Sequence, residues 1–130
     1  MLLFGHPYID FQPFYHIYES SEIELTPPNS TLMVQFNEES LELISYMRKN
    51  KLSFALEVET LSELIFAHNL DAKYIIVQGT FAAEAQAVAE NYLFDAKILC
   101  RLQNEGDLEA KIRDGIDGVI YPQAIVKISS

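Results

Sequence analysis

The chain has 130 residues, 49% of them hydrophobic and 22% charged, with a formal net charge of −10 and a sequence pI near 4.6. That composition is too apolar for a disordered chain, and the length suits one domain with a core of its own. A surface this acidic repels phosphate backbones and anionic lipid headgroups, so neither nucleic acid nor a membrane is an expected partner.

No apolar run reaches the length of a spanning helix, and the opening MLLFGHPYID lacks a basic stretch followed by a long apolar one. The expectation is a soluble, cytoplasmic protein. The single Cys100 lies in an apolar strand-like run and reads as a buried, inert thiol. Asn29-Ser30-Thr31 matches a glycosylation acceptor, a pattern without consequence in a chain expected to stay in the cytoplasm.

Residues 1–30 hold six aromatic residues between Phe4 and Tyr18, three of them phenylalanines, and the pairs 14–18 and 23–25 flank Glu19-Ser20-Ser21-Glu22. This reads as an aromatic N-terminal arm folded as a β-hairpin, ended by Thr26-Pro27-Pro28-Asn29-Ser30. From 31 to 126 the rhythm changes to a train of short β-α units, with strand cores at 32–36, 52–58, 74–77, 98–102 and 119–121. Asn37 is placed to cap a helix over 38–49 with Leu41, Ile44 and Met47 inward. Thr60-Leu61-Ser62-Glu63 is a capping box opening a second, with Leu61, Leu64 and Ile65 inward. Thr80 starts a third with Phe81, Ala85, Val88 and Tyr92, and Asn104 a fourth with Leu108 and Ile112, stopped by Gly115. Such alternation predicts parallel strands with right-handed helical crossovers.

Within the strands, Leu32, Val34, Phe36, Phe54, Leu56, Val58, Ile75, Val77, Ile98, Cys100, Leu102 and Ile120 form one large apolar set. The opposite set is Thr31, Met33, Gln35, Ser53, Ala55, Glu57, Lys97, Leu99, Arg101, Asp117, Val119 and Tyr121. One oily face and one mixed face predict helices on a single side, as around a barrel. The predicted fold is therefore α/β, a mostly parallel five-stranded sheet like half a TIM barrel, with a flavodoxin-like three-layer sandwich as the alternative. The mixed face then needs a cover, either the N-terminal arm or a second copy in a two-fold homodimer.

Leu56-Glu57-Val58-Glu59-Thr60-Leu61-Ser62-Glu63-Leu64 resembles the strand and helix start of indole-glycerol-phosphate synthase. Tyr74-Ile75-Ile76-Val77-Gln78-Gly79-Thr80-Phe81-Ala82 resembles the flavin-dependent nitronate monooxygenases, and the unit from Asp107 to Val126 resembles the closing unit of both. The resemblance is to the second half of a phosphate-binding TIM barrel. It implies a barrel-type fold, with FMN or a sugar phosphate as ligand, and it matches the synthase's strand glutamate to Glu57 and its strand asparagine to the vicinity of Gln78. The nitronate enzymes' Gly-Gly-His is replaced by Ala83-Glu84-Ala85, the strand before residue 103 ends in Leu102-Gln103-Asn104, and the last one ends in Tyr121-Pro122-Gln123. Phosphate cradles need glycine where backbone N–H groups approach oxygens closely, and these turns lack it. The synthase's catalytic lysine has no counterpart. The expectation is no resident cofactor, with FMN the only one the resemblance would supply.

Gln35, Glu57, Gln78, Arg101 and Tyr121 occupy comparable places near the C-terminal ends of successive strands, the edge where parallel α/β folds bind ligands. Arg101 could hold a carboxylate and Glu57 serve as an acid-base group. The alternative is a structural network in which Glu57 and Arg101 pair because neither tolerates burial alone. His6, Asp10 and His16 have no metal-ligand spacing, so no metal site is expected. His68 reads as a half-buried helix residue, Glu38-Glu39 and Glu105-Gly106-Asp107 as helix-start charges. Ser20-Ser21 and Ser129-Ser130 have no adjacent base and read as turn and tail. Two functions remain: a non-catalytic, barrel-derived binding or assembly module, and a protein or enzyme with a site for a small anionic molecule at the strand ends.

Overall fold

The computed structural model describes residues 1–128; Ser129 and Ser130 lie outside them. Eight strands occur among the described residues: β1 (Leu2–Phe4), β2 (Phe14–His16), β3 (Thr31–Gln35), β4 (Phe54–Glu57), β5 (Tyr74–Val77), β6 (Lys97–Arg101), β7 (Gly118–Ile120) and β8 (Ile125–Lys127). Four α-helices, α1 (Leu41–Lys49), α2 (Leu61–Asn69), α3 (Gly79–Asn91) and α4 (Leu108–Arg113), connect β3 through β7. All strands pair in parallel in one sheet of order β1-β7-β6-β5-β4-β3-β2-β8.

The sheet curls into a half-barrel. β1 and β2 stand first and seventh in that order, roughly 29 Å apart if the strands lay flat at their usual spacing of about 4.8 Å. Yet the rings of Phe4 and Phe14 meet edge to face at 4.9 Å, and both meet Tyr74 of β5, at 5.6 and 5.2 Å. Inside the curl Phe14, Met33, Ala55, Ile76, Leu99, Ile120 and Ala124 form a core to which none of the four α-helices contributes, joined by Phe4, Phe11, Tyr74 and Ile125. The outer face is different. Leu32, Val34, Leu56, Ile75, Val77, Ile98 and Cys100 pack against Leu43, Ile44 and Met47 of α1, Leu64 and Ala67 of α2, and Ala82, Ala85 and Ala89 of α3. Helices thus cover one face, as the strand alternation predicts, and the three-layer sandwich is not formed.

Helix starts follow the sequence. The Asn37 side chain accepts the Ser40 N–H at 2.9 Å, opening a short 3-10 turn (Glu38–Ser40) that leads into α1, and the Thr60 hydroxyl accepts the Glu63 N–H at 3.1 Å at the start of α2. His68 is half-buried and stacks on Phe94, with ring centroids 4.0 Å apart.

Four expectations are corrected. The sheet has eight strands rather than five, because the chain ends supply β1, β2 and β8. The N-terminal hairpin is absent. Residues 14–16 pair with β3 and β8, and Ser20–Leu25 is a 3-10 helix whose Glu22 carboxylate accepts the N–H groups of Tyr18 and Glu19 at 2.7 and 3.0 Å. A five-stranded sheet would leave the edge of β3 unpaired, and β2 satisfies it. Third, β7 faces the other way: Ile120 lies with the inner core, Val119 and Tyr121 with the outer one. Gly118 permits this, because it pairs with Leu99 and a Cβ there would lie 2.7 Å from Leu99 Cδ2 and 2.8 Å from Leu2 Cβ. Only a residue without a side chain fits inward at 118, so 120 follows it inward and 119 points out. Fourth, Leu41, Leu61, Tyr92 and Ile112, expected inward on their helices, are exposed.

Candidate functional site

Parallel pairing brings the C-terminal ends of β3 to β6 to one edge of the sheet. Gln35 and Glu57 are direct partners in register, Gln78 follows β5 immediately and caps α3 by position, and Arg101 ends β6. These four are brought together. Arg101 Nη1 donates to Glu57 Oε2 at 2.8 Å, Gln78 Nε2 donates to the same oxygen at 3.2 Å, and Gln35 Nε2 donates to the Glu57 carbonyl at 3.3 Å. Glu57 is the centre of the group, with its side chain only 8% exposed, while Arg101 is 29% exposed. A carboxylate so deeply placed needs a cation and hydrogen-bond donors, and Arg101 and Gln78 supply them.

Tyr121, the fifth predicted member, is not in the group. The reversed facing of β7 sends it to the helix side, where it is buried and its ring lies 5.7 Å from that of His6. His16 takes the fifth place, and sequence reasoning missed it because its strand was assigned to a separate arm. β2 pairs with β3, setting His16 beside Met33 on the inner face, and its ring lies 4.7 Å from that of Tyr18. Burial pushes the His16 imidazole below its ordinary value near 6.5. The Glu57 carboxylate acts against that shift, and the cations of Lys127 and Arg101 act with it. Its Nε2 is buried without a hydrogen-bond partner among the described residues. The alternation Phe14 in, Tyr15 out, His16 in was the available signal.

Arg101 spends one of its five N–H groups on Glu57, and no other hydrogen bond engages the guanidinium among the described residues. The free side of the group faces a cleft of about 560 Å³ between the β5–α3 and β6–α4 connections, lined also by Gln78, Gly79, Thr80, Gln103, Asp107 and Lys111. Lys111, mostly buried, donates to the Gly79 carbonyl at 2.9 Å and lies 3.7 Å from Asp114. α3 opens into this cleft with no cap from the Gln78 side chain and no acidic residue in its first turn. Two cations and a helix start with unused donors can hold a carboxylate or phosphate.

A second cleft, about 300 Å³, lies beside the first, with Gln103 in both, and is walled by His6, Tyr8, Tyr121 and Gln123. Gly5 takes a left-handed φ of +95° there, and a Cβ on it would meet Ala124 N at 3.0 Å and Tyr121 Cβ at 3.1 Å. No group of three or more histidine, cysteine or acidic side chains close enough to hold a metal ion occurs among the described residues, and no described helix is long and apolar enough to cross a membrane. Cys100 is fully buried in the outer core, and burial raises its thiol pKa. No protein-family model matches this chain, and no curated protein is similar to it in sequence.

Proposed function

We propose that the protein is a small-molecule-binding module, not a catalyst, that takes a small anionic ligand at the C-terminal ends of β5 and β6. The observation that carries this reading is the state of Arg101: its guanidinium is anchored from behind by the buried Glu57, while its remaining donors front an open cleft. Fixing the fork in advance removes much of the entropy cost of binding a carboxylate or phosphate. Thr80, Lys111 and the first N–H groups of α3 complete the set of donors. The hydrogen bonds donated by Arg101 and Gln78 both occupy one oxygen of Glu57, which supports a structural duty for that carboxylate over an acid-base one.

A thermal-shift screen tests this with inorganic phosphate and a panel of small mono- and dicarboxylates, on the wild type, Arg101→Ala and Lys111→Ala. A true ligand at a hundred times its Kd stabilises the fold by about 2.7 kcal/mol. Stabilisation of the wild type that both variants lose is the expected result. Equal shifts in all three proteins, or none in any, would dispose of the site.

A further inference from the structure

A different surface carries an inference independent of the strand-end site. Between α1 and α2 runs a groove of about 720 Å³ whose floor and walls are Phe36, Leu41, Phe66 and Leu70, with Asn37 and Glu38 at one end and Asn69 at the other. Leu41 is 45% exposed and Phe66 51%. Leu41 sits at a position where the helix periodicity puts core residues, and Phe66 faces it from α2. The apolar stripes of α1 and α2 are thus wider than the sheet beneath them covers, and contiguous exposed apolar surface of this kind marks an interaction site.

Charge identifies what would cover it. The segments 38–42 and 59–63 carry Glu38, Glu39, Glu42, Glu59 and Glu63 and no lysine or arginine. No ion pair engages any of the five among the described residues. Helix-start electrostatics account for carboxylates at these places, but not for large apolar side chains left in water between them. A second copy of the chain would bring the same carboxylates against each other and add its own charge of −10, so self-association through this face is disfavoured.

We propose that the α1–α2 groove is a docking site for a basic amphipathic helix of a partner protein. Its apolar residues, spaced i, i+3 or i+4, and i+7, would fill the groove, and its lysines or arginines would face Glu38 and Glu63, which line it. The nine residues of α2 make a groove wall about 13 Å long, which matches two to three turns of such a helix.

The test pans a displayed library of helix-forming peptides against the full chain. It uses the wild type, Leu41→Asp with Phe66→Asp, and a charge-reversed variant carrying Glu38→Lys, Glu39→Lys and Glu42→Lys. All substitutions are at exposed positions, and far-UV dichroism and melting curves verify that each variant folds. The expected result is enrichment on the wild type of positively charged peptides with helical apolar spacing. Their affinity should fall about tenfold or more in the aspartate variant, and further as salt is raised from about 50 to about 500 mM. The lysine variant should instead select acidic peptides. Enriched peptides without a basic bias, or with equal affinity for the aspartate variant, would overturn the proposal. So would a wild-type dimer, seen by light scattering, that Phe66→Asp converts to monomer.

Discussion

Arg101 reaches past β5 to place Nη1 2.8 Å from Glu57 Oε2, so the end of β6 is tied to the end of β4 by a single charged contact. Because the carboxylate side is nearly sealed and the guanidinium is partly open, the two partners are unequal. Loss of the cation strands a buried charge, whereas loss of the carboxylate releases a cation that can turn to water. Arg101→Gln should therefore cost about 3–5 kcal/mol of stability, Glu57→Gln less, and the double variant Glu57→Gln with Arg101→Gln distinctly less than the Arg101→Gln single. Urea unfolding of the two singles and the double checks this. Strict additivity would mean that the contact carries no coupling.

His16 should give the fold a pH dependence of known sign. Its imidazole is held below the ordinary value near 6.5 by burial. As pH falls through that value the unfolded chain binds a proton that the folded one still refuses, so stability is present above it and is lost as pH drops toward the folded value. The slope in that window is up to about 1.4 kcal/mol per pH unit. His16→Gln removes it. Unfolding free energies of both proteins, measured between about pH 5 and 8, should diverge on the acid side if this holds. Parallel curves would show that the ring is not the responsible group.

Gly118→Ala is expected to destabilise by roughly 1–3 kcal/mol, since a methyl there meets Leu99, Leu2 Cβ and the Leu2 carbonyl at once. Adding Leu99→Ala should not restore it, because the Leu2 contacts remain and losing the fully buried Leu99 side chain costs about 2–5 kcal/mol of its own. Differential scanning calorimetry of the three variants reads the effect. A neutral Gly118→Ala would contradict the close approach of β1 to β7.

Removing residues 1–25 takes away β1, β2 and the inner rings of Phe4, Phe11 and Phe14, exposing the concave core. The truncated chain should aggregate or change its oligomeric state. Light scattering that finds an unchanged, cooperatively folding species would show that the N-terminal segment has no covering role.

The alternation within β3, β4 and β6 made the sidedness of the sheet legible, since each of these strands mixes oily and polar positions. The same alternation located Gln35, Glu57, Gln78 and Arg101 at equivalent places. It failed where the signal vanished. Val119-Ile120-Tyr121 is apolar throughout, so nothing local decides which way it faces, and a one-residue error moved Tyr121 to the wrong side. β1, β2 and β8 are three residues each and find their partners far along the chain, β1 in β7 and β2 in β8. No local pattern announces such pairings. His16 was hidden by that same distance. Leu41 and Leu61 carry the periodicity of buried residues but lie beyond the area the sheet can shelter.

The pairing of Leu2 with Gly118 has a kinetic consequence. The contact closes a loop of nearly the whole chain, and the entropy of such a closure must be met before its rewards arrive. The consecutive βα units can condense from neighbours in sequence, whereas β1 can dock only once β7 exists to receive it. Refolding should thus finish at the seam between the two ends of the polypeptide, and until then the aromatic interior stands open to other unfinished molecules.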